Sequence, residues 1–400
     1  MIEPKLRFKA DDGSDFPDWE EKKFLDCISK IVDFRGRTPL KLGMAWSGEK
    51  TEYLALSALN VKMGYIDENI DAHYGNKKLY DMWMDGNELY KGQVLFTTEA
   101  PMGNVAQVPD NKPYILSQRT IAFVPKYDLL HDDFLVVLLS SSNVQRRLDT
   151  LATGGTAKGI SQKSLKNFNV KIPCDLDEQQ KIADFLSTID TIIEKQRATV
   201  SAWEERKKGV MQKLFSQEVR FKADDGSDFP DWEEKEVKDV CSVSTGKSNT
   251  QDKVDSGKYE FYVRSPIVEH SDKYLFDEEA VITVGDGVGT GKVFHYVNGK
   301  YNLHQRCYRM YDFMGVIGKY FFYFFSQNFY RRIKAMSAKT SVDSVRMEMI
   351  TKMKMNVPSL PEQQKIADCL SALDTVIEKQ KETLEKWQEL KKGLLQQMFV

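Results

Sequence analysis

The segment RFKADDGSDFPDWEEK at residues 7–22 returns unchanged at residues 220–235. A second segment, EQQKIADFLSTIDTIIEKQ at residues 178–196, returns in slightly altered form as EQQKIADCLSALDTVIEKQ at residues 362–380. The first repeated segment is called the leader and the second the helix-like block, and a variable insert lies between them. The chain therefore consists of a leader, an insert and a helix-like block, followed by the same three parts again. Two copies of a framework around two different inserts predict a protein that makes two related but non-identical contacts with one object.

Length and composition limit the class of protein. The chain has 400 residues, of which 41% are apolar and 29% charged, enough for two or three domains with proper cores. Its apolar runs fall far short of the ~18 residues of a membrane span, and the first residues lack the pattern of a secretion signal. The five cysteines are scattered and never form a C-x-x-C pair. We therefore expect a cytoplasmic protein without a disulfide framework, zinc site or membrane partner.

The net charge of -2 conceals an uneven distribution along the chain. Residues 23–172 carry 19 Lys and Arg against 16 Asp and Glu, a net charge of +3. Residues 236–357 carry 18 against 14, a net charge of +4, and the repeated segments hold the excess acid. Basic inserts in an acidic frame indicate a nucleic-acid partner. The signal is weak because many domains that do not bind nucleic acid are equally basic.

Each helix-like block carries a heptad repeat. From Ile182, and again from Ile366, seam positions recur at alternating steps of four and three residues, with charged residues at most other positions. This is the period of a coiled coil, and a helix of this length spans about 55 Å. The predicted seam residues are Ile182, Leu186, Ile189, Ile193, Gln196, Val200 and Trp203 in the first block and Ile366, Leu370, Leu373, Ile377, Gln380, Leu384 and Trp387 in the second.

The two seams also share polar positions, with Gln196 and Lys207 in the first block matching Gln380 and Lys391 in the second. Matching polar positions favour pairing of the two helices, with register fixed at some loss of stability. The alternative is that each helix packs on its own globular domain. If a pseudo-twofold axis relates the two halves, the paired helices run antiparallel with an insert at each end, as dimeric repressors hold reading heads about 34 Å apart.

The inserts are diverged copies of one fold in which strands predominate. Short β-rich runs broken by Gly and Pro are followed in each insert by a helical stretch. The β-rich runs are residues 52–66, 88–98 and 114–125 in the first insert and 259–265, 279–285 and 301–311 in the second, and the helical stretches are residues 133–148 and 319–333.

The order of these segments resembles the specificity (S) subunit of Type I restriction-modification systems, over the whole length of the chain. Order and duplication together make the resemblance specific, rather than any single motif. The motifs are Trp19 and Trp232 in the leaders, the turns APMGNVAQV at 100–108 and GDGVGTGKV at 285–293, the Gln–Arg pairs at 118/119 and 305/306, and the helix starts at 178 and 362.

The resemblance implies an α+β fold with an internal pseudo-twofold repeat. Two target-recognition domains of mixed strand and helix structure are joined by two long helices that form an antiparallel coiled coil. The implied segments are a leader at 1–22, a first target-recognition domain at 23–174, a spacer helix at 175–219, a second leader at 220–235, a second target-recognition domain at 236–358 and a second spacer helix at 359–400.

The resemblance also implies a function. Each target-recognition domain reads one half of a split, asymmetric double-stranded DNA sequence. Two methyltransferase subunits dock beside the specificity subunit and modify an adenine in each half-site, and motor-nuclease subunits join them for restriction. S-adenosylmethionine, ATP and Mg²⁺ are then expected on the partner subunits, and no cofactor on this chain.

The residues themselves contain no catalytic pattern that we recognise, so we predict that the chain is not an enzyme. Amino-methyltransferases use an Asn/Asp-Pro-Pro-aromatic turn, and this sequence has no Pro-Pro pair. The Gly-rich segment 285–292 does not match the phosphate-binding loop G-x-x-x-x-G-K-[ST]. The five histidines have no metal-ligand spacing. A structural coiled-coil adaptor without DNA specificity, or an enzyme with an unfamiliar site, remains the alternative.

A few basic and amide side chains in each insert are candidates for DNA contact. Arg donates twice to guanine, and Gln both donates to and accepts from adenine. The Gln–Arg pairs have a structural alternative, in which they are strand residues that anchor the Gly-rich turn. The alternative for the lysines and the other arginines is that they are ordinary solvated charges. The candidates are Gln118, Arg119, Lys158, Arg35, Arg37, Lys77 and Lys78 in the first insert and Lys247, Arg264, Gln305, Arg306 and Lys339 in the second.

Overall fold

The computed structural model describes residues 4–70, 72–154, 158–287, 289–336 and 344–399. The chain divides into two compact units. Unit 1 comprises Met1–Gln196 and Thr383–Val400, and unit 2 comprises Arg197–Glu382. Each unit therefore contains one leader, one insert and part of both long helices.

Unit 1 combines strands and helices. Its strands are β1 (Glu20–Lys23), β2 (Ile28–Asp33), β3 (Leu54–Leu56), β4 (Val61–Lys62), β5 (Tyr65–Ile66), β6 (His73–Tyr74), β7 (Val94–Thr97), β8 (Val105–Gln107), β9 (Ile115–Leu116), β10 (Thr120–Pro125) and β11 (Asn169–Ile172). Its helices are α1 (Lys77–Met84), α2 (Asp132–Ser140), α3 (Ser142–Leu151), α4 (Gln162–Leu165) and the beginning of the long helix α5 (Leu176–Phe215).

The strands of unit 1 form two main sheets. An antiparallel sheet has the order β2, β10, β7, β8, and a smaller sheet has the order β6, β3, β9, with β3 and β9 parallel. The leader strand β1 pairs antiparallel with β11, the last strand of the insert, so that Glu20 lies opposite Ile172. This pairing joins the two ends of the insert directly before α5 begins.

The predicted helical stretch at 133–148 consists of two helices, α2 and α3, rather than one. Ser141 has an extended backbone, with φ -65° and ψ 141°, and its hydroxyl accepts a hydrogen bond from the N–H of Val144 at 3.4 Å. Serine is a preferred N-cap because its side chain satisfies a free N–H of the first turn. A new helix therefore starts at Ser142.

Unit 2 repeats this plan with a larger sheet. Its strands are β12 (Glu233–Glu236), β13 (Ser242–Thr245), β14 (Tyr259–Tyr262), β15 (Glu269–Ser271), β16 (Phe276–Val284), β17 (Phe294–Leu303), β18 (Cys307–Tyr311) and β19 (Lys354–Val357). Its helices are α6 (Gly318–Met336), α7 (Met347–Thr351) and the larger part of the long helix α8 (Leu360–Met398). The main sheet has the order β13, β18, β16, β17, β14, β15, and the leader strand β12 pairs with β19 as β1 does with β11.

The core of each unit contains the C-terminal end of one long helix. In unit 1 the Phe399 ring lies 5.8 Å from both the Trp19 ring and the Phe134 ring. In unit 2 the Phe215 ring lies 5.8 Å from the Tyr320 ring and 5.5 Å from the Phe324 ring. A buried side chain of this size contributes about 1.5–3 kcal/mol, so these contacts hold the helix ends firmly on the inserts.

The helices α5 and α8 run antiparallel within each unit. In unit 1 Lys391 donates to Asp190 at 2.5 Å, and Leu395 and Leu186 line the same cavity. In unit 2 Lys381 lies 2.6 Å from Glu204, and Lys207 pairs with Asp374. In both units the residue number rises along one helix as it falls along the other.

The seam side chains are buried or half-buried. Ile182, Leu186, Ile189, Ile193 and Val200 of α5 and Ile366, Leu370 and Ile377 of α8 are buried, while Gln196, Trp203, Leu373, Gln380, Leu384 and Trp387 are half-buried. The two seam lysines, Lys207 and Lys391, form ion pairs with aspartates of the facing helix. A polar seam residue with a charged partner restricts the register of the two helices.

Each leader is held on the start of the helix that follows its own insert. Arg7 donates from Nε to Oε1 of the buried Glu178 at 3.0 Å and from Nη2 to Oε2 at 2.9 Å. Arg220 makes the same two bonds to Glu362, at 3.0 and 2.8 Å. The repeated sequence thus reproduces one bidentate ion pair in both units.

The second residue of each repeated Glu-Gln-Gln joins the helix start to the insert. The side chain of Gln179 donates to the carbonyls of Leu129 and Pro173 and accepts from the N–H of His131. Gln363 bonds in the same way to Gly315, Pro358 and Ile317. These glutamines are fully buried, so they fix the orientation of each insert on its helix.

The two leader tryptophans differ in one hydrogen bond, which provides a matched test of this framework. Nε1 of Trp232 donates to Oε2 of Glu362 at 2.9 Å, whereas Nε1 of Trp19 has no acceptor among the described residues. We expect Trp232→Phe to lower the free energy of unfolding by about 1.5 kcal/mol more than Trp19→Phe, because a bond to a charged group is lost only in unit 2. Urea unfolding of both variants measures the difference, and equal losses would contradict it.

Candidate nucleic-acid interface

The Gln118–Arg119 pair lies in the turn that joins β9 to β10. Arg119 has a left-handed backbone with φ 62°. Its carbonyl accepts hydrogen bonds from the N–H of Thr98 at 2.8 Å and from the Thr98 hydroxyl at 3.2 Å. The carbonyl of Thr98 in turn accepts the N–H of Ile160 at 2.9 Å. Three loops that are distant in sequence therefore meet at this point.

Unit 2 contains the same arrangement. The Gln305–Arg306 pair lies in the turn between β17 and β18, and the Arg306 carbonyl accepts the N–H of Gly285 at 2.9 Å. The carbonyl of Gly285 accepts the N–H of Val345 at 2.7 Å. Position 285 requires glycine, because a Cβ there would lie 2.6 Å from the Arg306 carbonyl oxygen.

We call this arrangement the three-loop junction. It consists of residues 98–99, 118–119 and 159–160 in unit 1 and of residues 285–286, 305–306 and 344–345 in unit 2. Both Gln–Arg pairs lie in turns rather than in strands, and the arginine carbonyls anchor the neighbouring loop, as the structural alternative expects. Their side chains are exposed, as a DNA contact requires.

An acidic side chain stands beside the arginine of each junction. Oε2 of Glu99 lies 3.9 Å from Nε of Arg119. In unit 2 Oδ2 of Asp286 lies 2.6 Å from Nη1 of Arg306, and its Oδ1 lies 3.2 Å from Nη1 of Arg264. Burial raises the pKa of Asp286, but hydrogen bonds from Arg306 and Arg264 outweigh that effect and lower the pKa below its ordinary value. Asp286 is therefore ionised at neutral pH.

The glutamines of the two junctions are held by different neighbours. Nε2 of Gln118 donates to the carbonyl of Arg37 at 3.2 Å. Nε2 of Gln305 donates to the side-chain oxygen of Asn249. The framework of the junction is thus common to both units, whereas the side chains around it are not. This combination suits two related surfaces with different specificities.

Two arginines of the first insert are anchored close to the junction. The guanidinium of Arg37 lies 4.5 Å from the Phe34 ring and donates to the carbonyl of Trp83. Arg35 pairs with Asp33 at 2.6 Å and is exposed. The fixed position of Arg37 makes it a support for Gln118.

The lysines predicted to contact DNA lie apart from the three-loop junction or form ordinary ion pairs at the surface. Lys77 pairs with Asp81 at 2.9 Å on α1, where Lys78 is also exposed. Lys158 pairs with Asp149 at 2.7 Å in the third loop of the unit 1 junction. Lys247 is exposed in the turn after β13, and Lys339 lies outside the described residues.

An open cleft of about 410 Å³ borders the unit 1 junction. Its lining includes Gln118 and Arg119 together with the aromatic side chains of Trp46, His73 and Trp83. The Trp46 and His73 rings are stacked, with centroids 5.9 Å apart. The cleft therefore offers both aromatic and hydrogen-bonding surface beside the Gln–Arg turn.

Across the described ranges, His, Cys, Asp and Glu side chains form no group of three that could hold a metal ion. Within the same part of the chain, every helix is too short or too polar to cross a lipid bilayer.

Comparison with known proteins decides the family. Residues 18–200 and 230–386 match the family described as Type I restriction modification DNA specificity domain. The chain belongs to this family. The two matches coincide with the two halves of the internal repeat, so the specificity domain is present twice.

Curated specificity subunits show sequence similarity to the chain. It is 25% identical to the type I restriction enzyme MjaVIII specificity subunit of Methanocaldococcus jannaschii, over 71% of this chain and 73% of that protein. It is 23% identical to the putative type I restriction enzyme MjaX specificity subunit of the same organism, over 95% and 93%. The similarity to the second protein extends over both specificity domains.

Solved structures show the same fold. The S subunit of the Type-I restriction-modification system from M. genitalium matches with a TM-score of 0.62 at 15% identity, covering 100% of this chain and 99% of that chain. A chain from a study of complex assembly and conformational transition of the type I R-M system matches with a TM-score of 0.53 at 15% identity, covering 96% and 98%. The predicted fold class and the predicted family are confirmed.

The acidic residues of the junction were missed by the sequence analysis. A signal for them exists, because Glu99 and Asp286 each precede the glutamine of their Gln–Arg pair by the same number of residues. The two inserts differ in length, so this equal spacing marks a common structural element. This spacing alone does not show that the two acids lie beside the arginines, which only the structure reveals.

Proposed function

We propose that this specificity subunit recognises a bipartite, asymmetric DNA target, with one half-site read by each unit. The supporting observation is the three-loop junction, which has equivalent backbone hydrogen bonds in both units and different side chains around it. Equal frameworks with unequal side chains suit the reading of two unlike half-sites in one target.

Within this proposal, the DNA-reading candidates are the Gln–Arg pairs of the two junctions and Arg264, which pairs with Asp286 of the unit 2 junction. Arg119, Arg264 and Arg306 present exposed guanidinium groups, with 54%, 45% and 59% of the side chain exposed. Such groups bind guanine edges through paired N–H donors or bind phosphate oxygens. Gln118 and Gln305 supply amides that suit adenine.

The chemistry is proposed to reside on partners. Two methyltransferase subunits, positioned by this chain, would modify an adenine in each half-site, and motor-nuclease subunits would join for restriction. S-adenosylmethionine, ATP and Mg²⁺ would bind to those subunits. That the paired helices set the spacing between the half-sites stays a prediction.

Methylation mapping tests the proposal. A host that carries the methyltransferase gene with this chain is expected to methylate one split sequence, composed of two unlike halves separated by unspecified base pairs. The same host with the methyltransferase alone is expected to lose that methylation entirely. Methylation that persists without this chain, or that follows one continuous sequence, would contradict the proposal.

A further inference from the structure

Asp286 is the one acidic group that the structure brings against two candidate DNA-reading arginines of unit 2, within the residues it describes. Its two oxygens are divided between them, with Oδ2 accepting from Arg306 and Oδ1 from Arg264. Arg264 follows β14, Asp286 follows β16 and Arg306 lies before β18, so three separate loops are joined by one carboxylate.

Each arginine keeps most of its hydrogen-bonding capacity. A guanidinium has five N–H donors, and Asp286 accepts one hydrogen bond from each arginine side chain. Arg264 and Arg306 remain 45% and 59% exposed, whereas Asp286 is 22% exposed. The carboxylate therefore lies behind the arginines and holds them in a fixed orientation toward solvent.

The carboxylate also places a negative charge in a surface that is expected to meet phosphate. Non-specific DNA binding comes from neutralisation of phosphates by Lys and Arg, with release of counterions. An acid bound to both arginines weakens that sequence-independent attraction. Fixed arginines retain the geometry needed for paired hydrogen bonds to base edges, which is what discriminates one base from another.

We propose that Asp286 is a specificity-determining positioning residue that orients Arg264 and Arg306 for base reading and suppresses their non-specific binding to phosphate. This inference rests on the proposed DNA-reading function of unit 2. The counterpart in unit 1 is weaker, because Glu99 stands 3.9 Å from one arginine, Arg119. Loss of the acid is therefore expected to matter more in unit 2.

The test compares Asp286→Asn with the unchanged chain, both in complex with the methyltransferase subunits. Two duplexes of equal length serve as probes, one with the target found by methylation mapping and one of random sequence. For Asp286→Asn we expect the ratio of specific to random-sequence affinity to fall about tenfold or more. Random-sequence binding should tighten, and its logarithmic salt slope should steepen by about one to two, since two arginines are released to phosphates.

Three variants separate positioning from a general effect of charge or folding. Asp277→Asn makes the same charge change at an exposed position on β16 and is expected to leave the affinity ratio unchanged. Asp286→Glu keeps the charge and should retain weak random-sequence binding. Glu99→Gln should have a smaller effect, confined to the half-site read by unit 1.

The outcomes are distinguishable. If Asp286→Asn weakens binding to both duplexes equally, or has the same ratio as Asp277→Asn, the inference about Asp286 is wrong while the proposed function stands. If the unchanged chain fails to discriminate between the two duplexes, the proposed function itself fails. Relaxed discrimination at base pairs of the half-site read by unit 2 alone supports the inference.

Discussion

Replacing residues 236–357 by the corresponding insert of another specificity subunit is expected to change one half of the methylated sequence and to leave the other half unchanged. The replaced segment begins at the last residue of β12 and ends with β19, and the pairing of these two strands holds its two ends together. One of its connections to the helix is the repeated residue Gln363, whose side chain donates to backbone carbonyls. A foreign insert with the same backbone can satisfy these bonds.

Methylation mapping measures the result, and a complete exchange of one half-site is the largest functional change that we expect. The reciprocal replacement of residues 23–172 is the matched control, and it should alter the opposite half-site. A target changed in both halves by either replacement, or in neither half, would contradict independent reading by the two units.

Glu362→Ala is expected to lower the free energy of unfolding by about 3 kcal/mol, because it leaves a partly buried guanidinium and a tryptophan N–H without their acceptor. Glu362 is fully buried and accepts two bonds from Arg220 and one from Trp232. Arg220 also binds the carbonyls of Phe229 and Pro230, so its position determines that of the leader turn. Chemical unfolding of the purified complex measures the loss.

Two variants control this experiment. Asp224→Ala removes the exposed partner of Lys365, in the same leader, and should have a much smaller effect because exposed ion pairs contribute little. Glu178→Ala removes the equivalent acid of unit 1 and should destabilise somewhat less than Glu362→Ala, since Trp19 makes no bond to Glu178 among the described residues. A loss for Asp224→Ala as large as that for Glu362→Ala would show that burial of the acid is not the cause.

Several features of the fold could be predicted from local sequence patterns. The heptad seam from Ile182 and from Ile366 predicts long helices because a helix places residues three and four apart on one face. The repeated Arg7 and Glu178 have identical counterparts in Arg220 and Glu362, so a contact of the first pair is expected to recur in the second. The family resemblance follows from the same order of repeats.

The break at Ser141 and the position of the Gln–Arg pairs were not predictable in the same way. Residues 133–148 have a helical pattern throughout, but the extended backbone of Ser141 and its capping bond from the N–H of Val144 separate α2 from α3. Residues 114–125 and 301–311 read as continuous β-rich runs, although a turn at 118–119 and at 305–306 interrupts each run. Turn and cap geometry depend on a few backbone angles that composition does not reveal.

The sequence by itself determined the duplicated plan, the long helices, their seam and the family, because each depends on periodicity or identity along the chain. Only the tertiary structure decided which loops meet. Thr98, Arg119 and Ile160 are joined by backbone hydrogen bonds, and Asp286 by ion pairs to Arg264 and Arg306, across separations of about 20 residues or more. Such contacts arise from strand pairing and loop closure, which bring distant residues together without leaving a regular spacing in the sequence.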